Sequence, residues 1–327
     1  MQLSFIHGEP FGPSSGVLAN YLVARQDQFG HQIGTSNNLT ASQLAITIIR
    51  SDNGVRLASL SVPANKSDIE VEFVLQQFPP SLKPYGIQVT ATGAGAQSFK
   101  ATTNLYRLPN PTDGRTITKI DNLYQSLLIQ QDGQWQPFFP YSFYMDSKWI
   151  SPTPAKLGEF AGLGYNVLHV VPGYDFDWFD TVADEAEKLG LWIMYDFRGT
   201  YKSAPDVKMQ VERYGKRKNM LLWYTADEPG KSSPPRCERN SMLNHAVDGV
   251  QDPLNAPKDA YDQIKSLDPY RPISLVLNCA NYFFEPYMAG ADILLTDPYP
   301  IGTNTSWSTE WKYDTLRTNF SACTFPG

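Results

Sequence analysis

The stretch Met220–Gly230, MLLWYTADEPG, decides the fold, because in it a run of apolar and aromatic residues ends in two adjacent carboxylates. Its first five residues have the unbroken apolar character of a strand that is buried on both faces, as in a parallel sheet covered by helices. Asp227 and Glu228 come directly after this run. A carboxylate at the C-terminal end of a buried parallel strand points into the open end of an α/β barrel. Glu228 is therefore the candidate catalytic acid.

The same letters also fit the start of a helix. In that interpretation Asp227 caps the helix and Glu228 is a solvated residue of its first turn. The rest of the chain has to decide between the two interpretations.

Composition limits the possible partners of this 327-residue chain. The chain is 42% hydrophobic and 18% charged, which is typical of a globular protein with a sizeable core. A net charge of −6 argues against nucleic acid as a partner. No apolar stretch reaches the roughly 18 residues of a membrane-spanning helix, so we expect no membrane partner. Aromatic residues are frequent at 13%, which suits sugar binding without establishing it.

Asn-x-Ser/Thr sequons favour a secreted, extracellular glycoprotein, although the first residues lack the pattern of a signal peptide. The four predicted glycosylation sites are Asn38, Asn65, Asn304 and Asn319.

Two patterns divide the chain into an irregular lead-in (1–42), a β-sandwich domain (43–136) and a partial barrel domain (137–327). Evenly spaced, alternating segments separated by turn residues are typical of an antiparallel sandwich. They are QLAITIIR (43–50), VRLASLSV (55–62), IEVEFVLQQF (69–78), YGIQVTAT (85–92) and SFKATTNLYRL (98–108).

Beyond this region, strands alternate with helices, which predicts a parallel sheet closing into a (β/α)8-type TIM barrel. The predicted strands are Phe138–Met145, Tyr165–Val171, Leu191–Phe197, Met220–Ala226, Ile273–Leu277 and Ile293–Thr296. The predicted helices are Thr153–Gly164, Phe176–Leu189, Asp206–Tyr214, Pro257–Leu267 and, more briefly, Tyr282–Met288. The region is shorter than the roughly 250 residues of an eightfold barrel, so either the sheet is open or the barrel is truncated after strand six.

Polar residues collect at the ends of the predicted strands, where a barrel would bring them to one opening. Singly, each fits a helix cap or a loop residue; together they predict a polar bowl. They are Asp146, Asp196, Arg198, Asp227, Glu228, Asn278, Asp297 and Tyr299. His169 lies inside a strand, and we expect it to be a barrel-interior histidine with a hydrogen-bond partner.

Other chemistries have no motif in the sequence. We find no His-Glu-x-x-His, Cys-x-x-Cys, Gly-rich phosphate loop or Gly-x-Ser-x-Gly elbow, so neither a metal nor a cofactor is expected.

The order of sandwich and barrel, with a glutamate closing strand four, resembles the glycoside hydrolases of clan A. WYTADEPG (223–230) and LVLNCANYFFEPYMAGADILLTDPYPIG (275–302) are similar to uncharacterised fungal secreted proteins of that type. The resemblance implies that Glu228 is the acid/base. The residue before this glutamate is usually Asn, whereas here it is Asp227. The nucleophile of the clan is a Glu ending strand seven, which lies beyond the predicted strands.

This resemblance implies a retaining glycosidase that acts on β-linked cell-wall or extracellular polysaccharides or oligosaccharides. Tyr144 and Tyr299 are expected to stack on the sugar, and Asp196, Arg198 and Asn278 to bind its hydroxyls, with Asp227 and Asp297 as further substrate-binding residues. A second enzyme interpretation pairs Glu228 with Asp196 or Asp297. The rival from another class is a carbohydrate-binding protein or pseudoenzyme that lacks the nucleophile.

Overall fold

The computed structural model describes residues 43–63, 69, 71–93, 98–121, 126–131, 134–150, 156–229, 252–277 and 283–296. These residues fall into two compact units. The first contains the described residues up to Thr112 together with Lys119–Leu128. The second contains Asp113–Thr118 and the described residues from Ile129 onward.

The first unit is built on a four-stranded antiparallel sheet of order β2-β1-β3-β4. Its strands are β1 (Gln43–Arg50), β2 (Arg56–Pro63), β3 (Tyr85–Thr92) and β4 (Ser98–Leu105). On β1 the alternate residues Leu44, Ile46 and Ile48 are buried, so one face of the sheet packs in a core and the other meets solvent. The predicted turn between β1 and β2 is present, with Gly54 at the positive φ of 69° that this position requires.

The predicted strand 69–78 is wrong. Residues Leu75–Gln77 form a 3-10 turn instead, and the described residues before them are in no strand. The Arg107 guanidinium donates to the carbonyls of Leu75 and Phe78, and two prolines follow. A carbonyl that accepts a hydrogen bond from an arginine does not need a partner in a β-ladder. The alternating apolar pattern of 69–78 therefore did not produce a strand, because Arg107, distant in sequence, bonds its carbonyls.

A small sheet of order β5-β6-β7 follows along the chain. Its strands are β5 (Thr118–Asp121), β6 (Ser126–Gln131) and β7 (Gln134–Phe138).

The second unit contains a six-stranded sheet of order β13-β12-β11-β10-β9-β8, in which every pair is parallel. The strands are β8 (Tyr144–Asp146), β9 (Val167–Val171), β10 (Trp192–Asp196), β11 (Met220–Asp227), β12 (Ile273–Leu277) and β13 (Ile293–Thr296). The helices are α1 (Ser147–Ile150), α2 (Lys156–Gly162), α3 (Phe176–Lys188), α4 (Ala204–Tyr214), α5 (Ala256–Leu267) and α6 (Phe284–Met288). The alternating strands and helices predicted from the sequence are therefore confirmed.

One strand prediction in this unit needs correction. Phe138–Met145 is not continuous, because β7 ends at Phe138 and β8 begins at Tyr144. Between them the Asn166 side chain accepts from the Tyr141 amide (2.7 Å) and donates to the Phe139 carbonyl (2.8 Å). Pro140 has no N–H for a ladder, so a side chain replaces the missing strand pairing.

Consecutive strand order decides where the helices lie. Right-handed crossovers that always step to the next strand place every connecting helix on one face of the sheet. On β10, Ile193 and Tyr195 are buried in the same core as residues of α3 and α4, whereas Trp192 and Met194 on the other face are half-buried. One face of the parallel sheet therefore packs against the helices. No closure is seen among the described strands, where β8 and β13 are the edges, so a truncated barrel stays a prediction.

A buried charged network stabilises the N-terminal end of β11. Asp268 accepts from Trp223 Nε1 (2.9 Å), Arg271 Nη1 (2.8 Å) and Arg115 Nη1 (3.1 Å). Arg271, only 1% exposed, also donates to the Met220 and Gly215 carbonyls. With its donors satisfied by carbonyls and a carboxylate, the guanidinium can remain buried. This network lies at the end of the sheet opposite the polar strand ends.

Candidate functional site

Four adjacent strands place polar side chains together at the C-terminal edge of the sheet. Tyr144 of β8 is in register with His169 of β9, and Asp196 of β10 with Tyr224 of β11. In-register parallel strands put such pairs side by side. The rings confirm this, since the centroid of His169 lies 4.7 Å from that of Tyr144 and 4.8 Å from that of Tyr224.

Asp196 is the buried centre of one half of the site. Its Oδ2 accepts from His169 Nε2 (2.9 Å) and Arg198 Nε (2.8 Å), and its Oδ1 from the Arg198 amide (2.8 Å). Its side chain is fully buried. The prediction that His169 has a hydrogen-bond partner is confirmed.

Asp227 is the centre of the other half. Its Oδ2 accepts from Arg198 Nη1 (2.6 Å) and its Oδ1 from the Tyr224 hydroxyl (2.6 Å). The Tyr224 hydroxyl lies 2.9 Å from that of Tyr144. Burial raises the pKa of Tyr224, and the Asp227 charge raises it further, so the phenol keeps its proton.

Arg198 joins the two halves. Its guanidinium lies between the two carboxylates and over the rings of Tyr144 (4.8 Å) and Tyr224 (5.5 Å). Burial by itself lowers the pKa of Arg198, but the hydrogen bond to Asp196 and the charges of both carboxylates raise it above the ordinary arginine value. The planar fork suits this double contact, and the arginine remains charged.

The backbone around Glu228 is irregular in two ways. Between Tyr224 and Asp227 the register of β11 against β12 shifts, with three steps on β11 against two on β12, which is a β-bulge. Glu228 then has a φ of 51°, in the left-handed region that L-residues rarely occupy. Its amide donates to the Val276 carbonyl (3.1 Å), and the residue is only 8% exposed.

This conformation excludes the interpretation of Glu228 as a solvated residue of a first helical turn. A residue in the first turn of an α-helix has a negative φ and is usually solvated. Glu228 has neither property. A strained, buried carboxylate that follows a bulge at a strand end is typical of functional sites.

Hydrogen bonds fix the backbone directly after Glu228. The Asp252 amide donates to the Pro229 carbonyl (3.2 Å), and the Tyr287 hydroxyl reaches the carbonyls of Asp252 (3.0 Å) and Pro229 (3.3 Å). The Asp252 carboxylate accepts from Tyr201 and Lys202. The backbone at the C-terminal side of Glu228 is thus fixed by α6 and by the segment after β10.

The structure unites Tyr144, Asp196, Arg198 and Asp227 of the predicted site, and it places Glu228 directly after Asp227. Other predicted residues lie outside the described part of the chain: Asn278, Asp297, Tyr299, and the sequons at Asn38, Asn65, Asn304 and Asn319. The lead-in 1–42 lies outside it too.

The sequence interpretation missed Tyr224 and Asp252. A signal for Tyr224 exists, because Trp223 and Tyr224 are adjacent on one strand and must point to opposite faces. One of the two rings had to face the side away from the helices.

Two negative findings concern only the described residues. No group of three or more His, Cys, Asp or Glu side chains there is placed to hold a metal ion. No helix there is long and apolar enough to cross a membrane.

Comparisons with known proteins find likeness in structure only. No protein-family model matches the chain, and no curated protein matches it. A glycosyl hydrolase family 2 member from Bacteroides cellulosilyticus is similar with a TM-score of 0.40 and 13% identity, over 79% of this chain and 34% of that one. The β-glucuronidase of Parabacteroides merdae is similar with a TM-score of 0.38 and 10% identity, over 82% of this chain and 32% of that one. The endocellulase of the archaeon Pyrococcus horikoshii is similar with a TM-score of 0.38 and 13% identity, over 50% of this chain and 58% of that one.

These structural neighbours are glycoside hydrolases. The chain spans about a third of the length of the first two. The resemblance to fungal proteins stays a prediction.

Proposed function

We propose that the chain carries the acid/base half of a retaining glycoside hydrolase site, with Glu228 as the acid/base. The observation that carries this proposal is the conformation of Glu228, which is buried and held at a positive φ at the C-terminal end of the fourth parallel strand. The resemblance to clan A, stated from the sequence, supports the same residue.

In this reaction Glu228 first protonates the leaving glycosidic oxygen, while a second carboxylate about 5 Å away attacks the sugar carbon. The ionised Glu228 then removes a proton from water as the water cleaves the glycosyl-enzyme bond. The glutamate therefore returns to its starting state.

Asp196 is poorly suited to be the second carboxylate. Its side chain has no exposed surface and accepts three hydrogen bonds from His169 and Arg198. A nucleophile must reach the sugar carbon directly. We therefore assign Asp196 to holding Arg198, and propose that the nucleophile is a glutamate outside the described strands, as the resemblance implies.

Substrate contacts in this proposal come from the half-exposed part of the network. Tyr144 is 41% exposed, and the side chains of Arg198 and Asp227 are 22% and 26% exposed. They offer one flat ring and several polar atoms, which suits sugar hydroxyls and faces. Asn278, Asp297 and Tyr299 stay proposed substrate contacts. Secretion, supported by the four sequons, and β-linked polysaccharide or oligosaccharide as substrate complete the proposal.

A second candidate is carbohydrate binding without turnover. It is favoured by one observation: the two aspartates of the network, Asp196 and Asp227, are both held by Arg198.

Turnover separates the two candidates. The chain and its Glu228→Gln variant are tested on aryl β-glycosides and on cellulose, xylan and β-1,3-glucan, with binding measured in parallel. Hydrolysis that disappears in the variant supports the enzyme. Binding without hydrolysis in the unmodified chain supports the binding protein, and the absence of both contradicts a carbohydrate function.

A further inference from the structure

A chain of hydrogen bonds runs outward from the Asp227 carboxylate. Tyr224 is 2.6 Å from Asp227 Oδ1, and Tyr144 is 2.9 Å from Tyr224. Tyr224 is buried, whereas Tyr144 is 41% exposed at the open side of the site. The chain thus connects a buried charge to a surface that a ligand can reach.

The Asp227 carboxylate, at the inner end of this chain of hydrogen bonds, determines which hydroxyl donates and which accepts in each bond. The Asp227 carboxylate, paired with Arg198 at 2.6 Å, has no proton to give, so it only accepts. Tyr224 therefore donates its single proton to Asp227. Tyr144 must then donate its own proton to the Tyr224 oxygen, since Tyr224 has none left to offer.

We infer that Tyr144 is a specificity-determining residue that faces the ligand only as a hydrogen-bond acceptor, so that the ligand group it meets is a donor, a sugar hydroxyl or an amino group. The carbohydrate nature of this ligand rests on the proposed function; the direction of the chain does not.

Two features strengthen the preference for a donor. Hydrogen bonds in a chain polarise one another, so donation by Tyr144 makes its oxygen a better acceptor. Arg198, whose guanidinium lies 4.8 Å from the centre of the Tyr144 ring, is paired with two carboxylates, Asp196 and Asp227, so it does not offer a free charge to an anionic ligand. An ether oxygen, a fluorine or a carboxylate at this position would face the tyrosine lone pairs.

The variant Asp227→Asn reverses the chain. An asparagine must turn its oxygen to Arg198, which has only donors, and its amide NH2 group then faces Tyr224. Tyr224 accepts from that amide and donates to Tyr144. Tyr144, which now accepts from Tyr224, no longer donates its proton to Tyr224 and can turn it toward a ligand.

The direction is measured without any ligand in protein labelled with ¹³Cζ-tyrosine, where Tyr144→Phe assigns the resonance of Tyr144. A phenol carbon moves downfield when its hydroxyl donates and upfield when it accepts. We expect the Tyr144 resonance to move upfield in Asp227→Asn. A Tyr144 resonance at the same position in both forms would overturn the assigned direction.

The ligand preference is measured with methyl β-glucoside, methyl β-galactoside and methyl β-xyloside and the monodeoxyfluoro analogues of each. Fluorine has a size close to that of a hydroxyl but cannot donate. At one ring position the fluoro analogue should bind the unmodified protein about threefold to tenfold more weakly than the parent sugar. In Asp227→Asn and Tyr144→Phe this difference should shrink to less than twofold.

If the fluoro analogues lose the same affinity relative to the parent sugars in the unmodified protein and in Tyr144→Phe, the role of Tyr144 is contradicted. No binding of any glycoside to any form would overturn the carbohydrate ligand together with the proposed function. The carbon shift would in that case still decide the direction of the chain.

Discussion

Arg198 Nη1 lies 2.6 Å from Asp227 Oδ2, and this ion pair adds a side-chain link to the backbone pairing of β10 and β11 at their C-terminal ends. The same guanidinium also holds Asp196, so one residue contacts the last carboxylate of each strand. Glu228 directly follows Asp227 of this pair.

Replacement of Glu228 by Gln should abolish proton donation while keeping the size of the side chain. We expect a loss of about 10²-fold or more in turnover of the best substrate, because general acid catalysis contributes rate enhancements of that size. Asp227→Asn should cost less, since it leaves the acid in place. Turnover and thermal midpoint are measured on both variants, and undiminished turnover in Glu228→Gln would end the catalytic assignment.

The backbone strain at Glu228 should appear as a preference for glycine over alanine. At a φ of 51° a Cβ atom is unfavourable, so Glu228→Gly should be more stable than Glu228→Ala by about 1 kcal/mol. Urea unfolding of the two variants measures this difference. The control is Ala183→Gly inside α3, where the order should reverse: lost helix propensity and a lost buried methyl group should make glycine less stable by roughly 1–2 kcal/mol.

If Glu228→Ala is as stable as Glu228→Gly, or more stable, the left-handed conformation at position 228 is refuted. Because both variants lack the carboxylate, the comparison is independent of any contact that the glutamate side chain makes.

Truncation of Arg198 should destabilise the second unit. Without the guanidinium, the fully buried Asp196 keeps His169 as its side-chain partner and Asp227 loses its ion pair. We expect Arg198→Ala to cost roughly 3 kcal/mol, at the low end for a broken buried pair because the arginine is partly exposed.

The matched control is Arg213→Ala. Arg213 also contacts two aspartates, Asp177 and Asp180, but on the surface of α3 and α4. Its replacement should leave the thermal midpoint nearly unchanged. Equal effects of the two substitutions would show that the network at the strand ends contributes no more than a surface pair.

Replacement of Asp268 should be among the most destabilising changes in the second unit. Asp268→Ala leaves the Arg271 guanidinium buried without a carboxylate and Trp223 Nε1 without its acceptor. The expected cost is roughly 3–5 kcal/mol, measured by urea unfolding. Asp184→Ala, which removes a mostly exposed partner of Arg217, serves as the control with little expected effect.

Stability should rise with pH in the alkaline range because of Lys119 in β5. Burial lowers the pKa of Lys119 from 10.5 to about 7. Between these values the unfolded chain binds a proton that the folded chain does not, so lowering the pH favours unfolding. The contribution of this lysine to the free energy of unfolding should therefore increase from pH 7 toward pH 10, by at most about 1.4 kcal/mol per unit.

Urea unfolding at pH 7.5, 8.5 and 9.5 measures this slope. Lys119→Met should flatten it, whereas Lys100→Met, at an exposed position of β4, should leave it unchanged. A slope that is the same in the unmodified chain and in Lys119→Met would contradict the effect of burial.

The sequence by itself determined the alternation of strands and helices from Tyr144 onward, because the apolar period of each segment reflects which faces it buries. It also located Asp196, Arg198 and Asp227 at one edge, since the C-terminal ends of parallel strands meet there. Local patterns failed where a residue distant in sequence intervened. The Arg107 guanidinium donates to the carbonyls of Leu75 and Phe78. The Asn166 side chain accepts from the Tyr141 amide and donates to the Phe139 carbonyl, on either side of Pro140.

Only the tertiary structure decided which side chains share a hydrogen bond and how Glu228 is held. Hydrogen-bond partners depend on the register between strands, and a bulge in β11 against β12 sets the backbone before Glu228. Neither register nor bulge is encoded in the residues of one strand. The positive φ of Glu228, the double pairing of Arg198 and the direction of the chain through Tyr224 to Tyr144 all follow from contacts between strands, because each needs two or more strands in place before it exists.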